Sequence, residues 1–328
     1  MIQRHGTYMA TAALMMVATV LFGGPLFAAE PSPLVGILMP SASYDPVLAG
    51  LREGLVTAGY REEVNLRLRI ETGGGERQSN AAAAARLVAA KPEVILTVTT
   101  PLAHAAKEAT RTIPIVFVSV GAPIESGLVA GFASSRNNLA GVSSYAASLS
   151  GKRLELLREI APGSKKALLI VSTQESIGQT SARHSQEAAR RLRHQVVRRN
   201  VASAAEIEKL LAVKWTNMAD GVLLLPGALT GRYVEKFIDK SKNEWMPLIV
   251  YEDTLVRMGA LASYGSDRSL TGIQAAKLVA KLLKGAKPAD LPIETPDRFI
   301  LSVNLATAKA IGLRIPRSVL DRVDRLAE

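Results

Sequence analysis

A chain of 328 residues, 48% hydrophobic and 21% charged, is globular in composition and long enough for two α/β domains of ordinary size. With no cysteine it has no disulfide, no thiolate metal site, no cysteine nucleophile and no lipoprotein-type lipid anchor, and its four scattered histidines, His5, His104, His184 and His194, suit no metal, so no metal or other cofactor is expected. The net charge of +11 is dispersed except for six arginines within residues 183–199, which read as a solvated helix and edge strand without interleaved aromatics, so nucleic acid is not an expected partner.

Residues 1–29 combine a short basic start, an apolar run and the close GGPLFAAE, the pattern of an export signal, with cleavage near residues 28–30 or retention as an anchor left open. The body begins at LVGILM, residues 34–39, a short apolar run typical of a parallel strand buried on both faces. Asp45-Pro46 then reads as an N-cap and first helical position, with Val47, Leu48, Leu51 and Leu55 at helical spacing. The unit recurs as strand 65–71, the loop GGGERQS and an alanine-rich helix over 80–90. Strand 94–98 and a helix from Pro101 to Ala109 follow, and then strand 115–120. Such alternation implies a parallel sheet with right-handed crossovers.

A short strand closing at Ser143 and Ser144 leads to a helix over 152–160, for which Ser150 is the expected cap. From 167–172 the grammar restarts, so a second lobe is expected. Its elements are helix 180–193, strand 196–201, helix 204–213, the strand GVLLLP from Gly221, a helix around 233–240 and the strand LIVY at 248–251. The strand ALASYG at 260–265, an amphipathic helix at 269–284, the strand FILSVN and a helix near 305–311 complete the order.

Several runs then carry a resemblance: IPIVFVSVGAPIESGLVAGFA, NNLAGVSS with GKRLELLREIAPG, MPLIVYED, GALASYGSD, and LLKGAKPADLPIETPDRFILSVNLATAKAIGLRIP. In order and spacing, over about residues 34–326, the chain resembles the substrate-binding proteins of ABC transporters, of the tryptophan- and phenylalanine-binding type. The resemblance implies the type I periplasmic binding protein fold: α/β, two Rossmann-like parallel-sheet lobes joined by a three-crossing hinge. Lobe one is assigned to 33–143 plus 260–290 and lobe two to 144–259 plus 291–328, with crossings near 143–150, 258–263 and 292–299. The implied partners are a small-molecule ligand and the permease subunits of an ABC importer, and the implied protein is an extracytoplasmic (periplasmic) monomer. An aromatic amino acid is the leading ligand. Where relatives carry an asparagine-containing loop and a GDP-type turn, this chain has VSTQESIG and Gly121-Ala122-Pro123.

In open parallel sheets, ligands bind beyond the carboxyl ends of strands, near helix N-termini. Two such sheets facing across a cleft place Ser41, Ser43, Tyr44, Thr99, Thr100 and Gly121 on one wall and Ser172, Thr173, Gln174, Gly227, Tyr251 and Glu252 on the other. Ser41 and Ser43 serve either turn backbone or ligand, and Thr100 serves as a cap or a contact. Glu252 pairs either with a ligand ammonium or with an arginine such as Arg257. Tyr44, Tyr251 and Tyr264 either stack on a ligand or pack in core and hinge.

An enzyme is not expected. No G-x-S-x-G elbow, P-loop or G-x-G-x-x-G follows a strand, and the carboxylates near the cleft, Asp45, Glu252 and Asp253, form no evident constellation. A transcription regulator would carry a DNA-binding module where this chain has an export signal. A binding protein reporting to a membrane sensor kinase is the alternative to a transporter receptor.

Overall fold

The computed structural model describes residues 32–74 and 76–327. The export-signal reading of residues 1–29 lies outside them. From residue 32 onward the chain is one compact unit.

The first sheet begins with β1 (Leu34–Met39), α1 (Asp45–Thr57), β2 (Arg67–Thr72), α2 (Arg77–Ala89), β3 (Val94–Val98), α3 (Thr100–Ala109), β4 (Ile115–Val120) and β5 (Leu139–Ser143). Every neighbouring pair is parallel, and β1 lies between β2 and β3. The apolar run of β1 is buried on both faces because side chains alternate across a strand. Val35, Ile37 and Met39 join the core that includes α1, whereas Leu38 joins the core with α2 and α3. Asp45 is itself the first residue of α1, with Tyr44 at the cap position, so the expected Asp45 cap is one residue out.

After β5 the chain enters the second lobe through α4 (Ser150–Ile160), β6 (Lys166–Ser172), α5 (Ser176–Leu192), β7 (Gln195–Val201), α6 (Ala204–Ala212), β8 (Gly221–Leu224), α7 (Ala228–Arg232), α8 (Val234–Asn243), β9 (Leu248–Val250) and α9 (Asp253–Arg257). Ser150 lies inside the first turn of α4, its hydroxyl bonded to the Ala146 carbonyl at 3.3 Å, and does not cap the helix.

The remaining elements are β10 (Ala262–Ser266), α10 (Arg268–Leu283), β11 (Ile293–Glu294), β12 (Phe299–Asn304), α11 (Leu305–Ala310), α12 (Arg317–Leu320) and β13 (Arg325–Ala327). Here two boundaries differ from expectation. Residues 260–265 were expected in lobe one, but β10 pairs parallel with β9 and antiparallel with β12, in the second sheet. Leu261 and Ala262 fill that lobe's core, so burial holds the strand there. Residues from 291 were expected in lobe two, but β11 pairs with β5 in the first sheet, through Ile293 with Gly141 and Glu294 with Val142. The sheet orders are therefore β11-β5-β4-β3-β1-β2 and β13-β12-β10-β9-β8-β6-β7.

The chain crosses between sheets after Ser143, between Ser266 and Arg268, and after Glu294. The middle crossing is displaced from 258–263 to the single residue Asp267. Beyond it, α10 packs against α1 with almost no space: a Cβ on Gly50 would sit 2.0 Å from the Ser269 carbonyl oxygen, and one on Gly272 would sit 2.2 Å from that of Val47. Glycine at both positions lets the two helix backbones touch. The starts of α1 and α10 are thereby held side by side.

Candidate functional site

A cavity of about 740 Å³ opens between the lobes. From lobe one it is lined by residues beyond β1 (Ser43, Tyr44), beyond β3 (Thr99, Thr100) and at the end of β4 (Ser119), joined by Asn80 and Arg268. From lobe two come Glu175, Ile177, Gly227, Tyr251, Glu252 and the first turns of α9. The sites at the carboxyl ends of parallel strands arise because each strand must turn there into a helix, leaving free N-H groups and short loops. Thr99 takes φ of +81° and Ser119 φ of +56°, left-handed backbone that only surrounding structure can hold.

Of the twelve residues expected from sequence, Ser43, Tyr44, Thr99, Thr100, Gly227, Tyr251 and Glu252 share this lining. The other five do not belong to it. Ser41 is exposed, its hydroxyl 2.8 Å from that of Ser43, as expected of a turn residue. Gly121 is covered by lobe two, since a Cβ there would sit 2.4 Å from Ile177 Cδ1. Ser172 is fully buried behind Gly227, whose Cβ position lies 2.7 Å from Ser172 Cβ. Thr173 continues the sheet by donating its N-H to the Val201 carbonyl at 3.1 Å, and Gln174 is exposed and donates to the Ala202 carbonyl at 2.7 Å.

The cavity wall carries an ion pair whose arginine sequence reading missed. Arg268, the first residue of α10, donates from Nη2 to Glu252 Oε1 at 2.8 Å and Oε2 at 2.9 Å, and its Nη1 donates to the Ser43 carbonyl. The guanidinium lies over the Tyr44 ring, 3.9 Å from its centroid, a cation–π contact. Arg257, the partner suggested for Glu252, pairs instead with Asp253. Burial and the Glu252 charge push the Tyr44 hydroxyl up to about 12, and burial, with Glu252 next, raises Tyr251 well above the ordinary phenol value. Both tyrosines are therefore neutral at physiological pH. Burial, the largest single influence, disfavours the Arg268 cation, but Glu252 together with Tyr44 and Tyr251 outweighs it, so the guanidinium holds its proton more firmly than usual.

Two residues of the lining each keep a buried side-chain oxygen with no hydrogen-bond partner among the described residues: Asn80 Oδ1 and Thr254 Oγ1. Glu175 Oε2 accepts the N-H of Ala228 at 2.6 Å. No group of three or more His, Cys, Asp or Glu able to hold a metal occurs among the described residues.

Two parallel-sheet lobes, three crossings and a cavity lined from both sides define the type I periplasmic-binding-protein fold. A conserved domain protein from Vibrio cholerae O1 biovar eltor superposes with a TM-score of 0.83 at 26% identity, covering 90% of this chain and 100% of that one. The Streptococcus pneumonia ABC domain solved in complex with L-Trp superposes with a TM-score of 0.82 at 23% identity and the same coverage. The chain belongs to the ABC transporter substrate binding protein family, which it matches over residues 35–326. It is 27% identical over 278 residues to the tyrosine-binding protein of Clostridioides difficile (strain R20291), covering 84% of this chain and 79% of that protein. No described helix is long and apolar enough to cross a membrane.

Proposed function

We propose that the protein is an extracytoplasmic receptor that captures an aromatic amino acid between its lobes, closes over it by bending at the three crossings, and presents it to the permease of an ABC importer. It acts as a monomer and leaves its ligand chemically unchanged. Export follows from the signal-like pattern of residues 1–29.

The observation that carries this reading is the Glu252–Arg268 pair set beside Tyr44 and Tyr251. An amino acid brings both charges on one carbon. A carboxylate and a guanidinium 2.8 Å apart answer both, and net neutrality of the pair favours a zwitterion over a singly charged solute. The adjoining rings suit an aromatic side chain. The relatives named above, one called tyrosine-binding and one solved with L-Trp, support the same class. Closure requires contacts made better in the closed form than in the open one, and groups from both lobes supply them.

Thermal melting of the protein freed of residues 1–31, against amino acids, purines and sugars, tests the reading. An aromatic amino acid at a hundred times its dissociation constant should stabilise by about 2.7 kcal/mol. Stabilisation by sugars or purines with none by aromatic amino acids would overturn the ligand class, and turnover of a bound solute by pure protein would overturn the receptor role.

A further inference from the structure

The cavity ion pair has a counterpart among the residues next to it in sequence. Glu252 and Asp267 both have extended backbone, with φ and ψ of −152° and 155° and of −85° and 131°, and in extended backbone successive side chains point to opposite sides. Glu252 and Arg268 accordingly line the cavity, while their neighbours Asp253 and Asp267 do not. Those two carboxylates meet instead at a single atom: Arg325 Nη1 lies 2.9 Å from Asp253 Oδ2 and 2.5 Å from Asp267 Oδ2.

The strand that brings Arg325 there has little else to hold. β13 is three residues long, and Arg325 and Leu326 are exposed, so it buries almost no apolar surface and is fixed by its pairing with β12 and by the two carboxylates. The side chains of Asp253 and Asp267 are 7% and 4% exposed. Two carboxylates so close together and so far from water repel unless a cation lies between them. Asp253 has a second cation in Arg257. Asp267 has no other among the described residues, its Oδ1 taking only the Leu270 N-H.

We propose that Arg325 is a positioning residue for the ligand site: by clamping Asp253 to Asp267 it fixes the spacing of Glu252 and Arg268, and so sets the affinity of a cavity that it does not line. This rests on the receptor reading above, in which Glu252 and Arg268 are the charges that meet the ligand. Without the clamp, Asp253 stays with Arg257, but the stranded Asp267 carboxylate turns towards water. One peptide bond joins it to Arg268, so the guanidinium moves with it and the cavity pair opens from that side.

Calorimetric titration of the exported, purified protein with L-tyrosine tests this, beside urea denaturation without ligand. Arg325→Met keeps the aliphatic stem and should weaken tyrosine binding about tenfold. Arg325→Lys should recover part of that loss, because both contacts use one nitrogen and an ammonium supplies one. Asp267→Asn keeps a helix cap and removes the repelling charge, so added to Arg325→Met it should also restore binding, where a merely structural role gives further loss. Ile207→Val, a fully buried truncation in α6 outside the lining, should lower stability without moving the affinity. Unchanged tyrosine affinity in Arg325→Met, or no recovery with lysine or with Asp267→Asn, overturns the positioning role while the ligand class stands. If the unaltered protein binds no aromatic amino acid, the ligand class falls and the ligand-free readout decides. Arg325→Met should then roughly halve the coupling measured between Glu252→Gln and Arg268→Met in denaturation, and an unchanged coupling overturns the clamp.

Discussion

Removing the Arg268 guanidinium should reveal how much of the interlobe structure depends on one side chain. Its side chain is 10% exposed and that of Glu252 19%, so Arg268→Ala strands a carboxylate with little access to water. Breaking a fully buried pair from one side costs about 3–5 kcal/mol, and breaking an exposed one about 0–1. The residual exposure places the ionic contribution below the buried range, at about 2 kcal/mol. The lost stacking on Tyr44 adds about 1 kcal/mol, and Ser43 loses a charged donor to its carbonyl. Arg268→Ala is thus expected to lower the unfolding free energy by about 3 kcal/mol.

The assay is urea denaturation of ligand-free protein, reading the midpoint at constant slope. Glu252→Gln should also destabilise, because it leaves the cation unpaired, but the double variant Glu252→Gln/Arg268→Met should recover part of the sum. A coupling energy of about 2 kcal/mol is expected between the two sites. The loss should change little with added salt, since the pair is shielded from it. A loss below about 1 kcal/mol for Arg268→Ala, or strict additivity in the cycle, would refute the view that the pair is a buried strut between lobes.

Arg153 is buried without a carboxylate partner among the described residues, donating to the carbonyls of Tyr264 at 2.8 Å and Ala146 at 2.7 Å, and burial lowers its pKa to about 9, so it stays charged at neutral pH. Arg153→Leu should lower the unfolding free energy by about 3 kcal/mol in the same denaturation assay, since it removes the guanidinium bond to the Tyr264 carbonyl and leaves the Ala146 carbonyl only the longer bond from the Ser150 hydroxyl. His194 is 7% exposed with Nε2 unpartnered among the described residues; burial, then Arg158, lowers its pKa, and burial, then Lys107, lowers that of His104. Both folded values lie below the unfolded one of about 6.5, so the unfolded chain takes up protons first and stability falls as pH drops from about 7 towards 5; His194→Asn should flatten that slope in melts across the range. Gly50→Ala drives a methyl to 2.0 Å from the Ser269 carbonyl and should cost about 2–3 kcal/mol by calorimetry, against about 1 kcal/mol for Gly59→Ala, where φ is +93° but the space is open.

The alternation of strands and helices was legible because buried parallel strands are short apolar runs, as in LVGILM and ALLIVS, and their helices carry a periodic face. Position at the carboxyl ends of strands was legible for the same reason, which is how Tyr44, Thr99, Thr100 and Glu252 were found. Membership of a sheet was not. β10 reads as a strand whichever lobe receives it, and β11 is two residues long, too short to show a period. Arg268 was hidden because Asp267-Arg268 looks like any helix start, and its contact with Glu252 exists only after the chain has crossed between lobes. Asn80 was hidden at the head of a run of alanines. The one signal was its polarity at a helix position facing the core, beside Ala83, Ala84 and Leu87.

The middle crossing gives the site and the hinge a common part. Asp267 alone separates β10 of the second sheet from α10 of the first lobe, and its carboxylate is fixed on both sides, accepting the Leu270 N-H at 2.7 Å and pairing with Arg325 of β13. Arg268 follows immediately. Any rotation of the lobes about that crossing therefore swings its guanidinium relative to Glu252, which is carried by lobe two. The other crossings are tied to the same place: Arg153 joins Ala146 of the first crossing to Tyr264 of β10 and lies 3.5 Å from the Tyr251 carbonyl, while Phe299, at the end of the third, contacts both Tyr145 and Tyr264 with centroids 6.4 and 6.0 Å apart. Hinge angle and site geometry are then one variable. On the receptor function proposed above, a ligand that engaged Glu252 and Arg268 together would bias the angle directly, and capture and closure would need no separate relay between them.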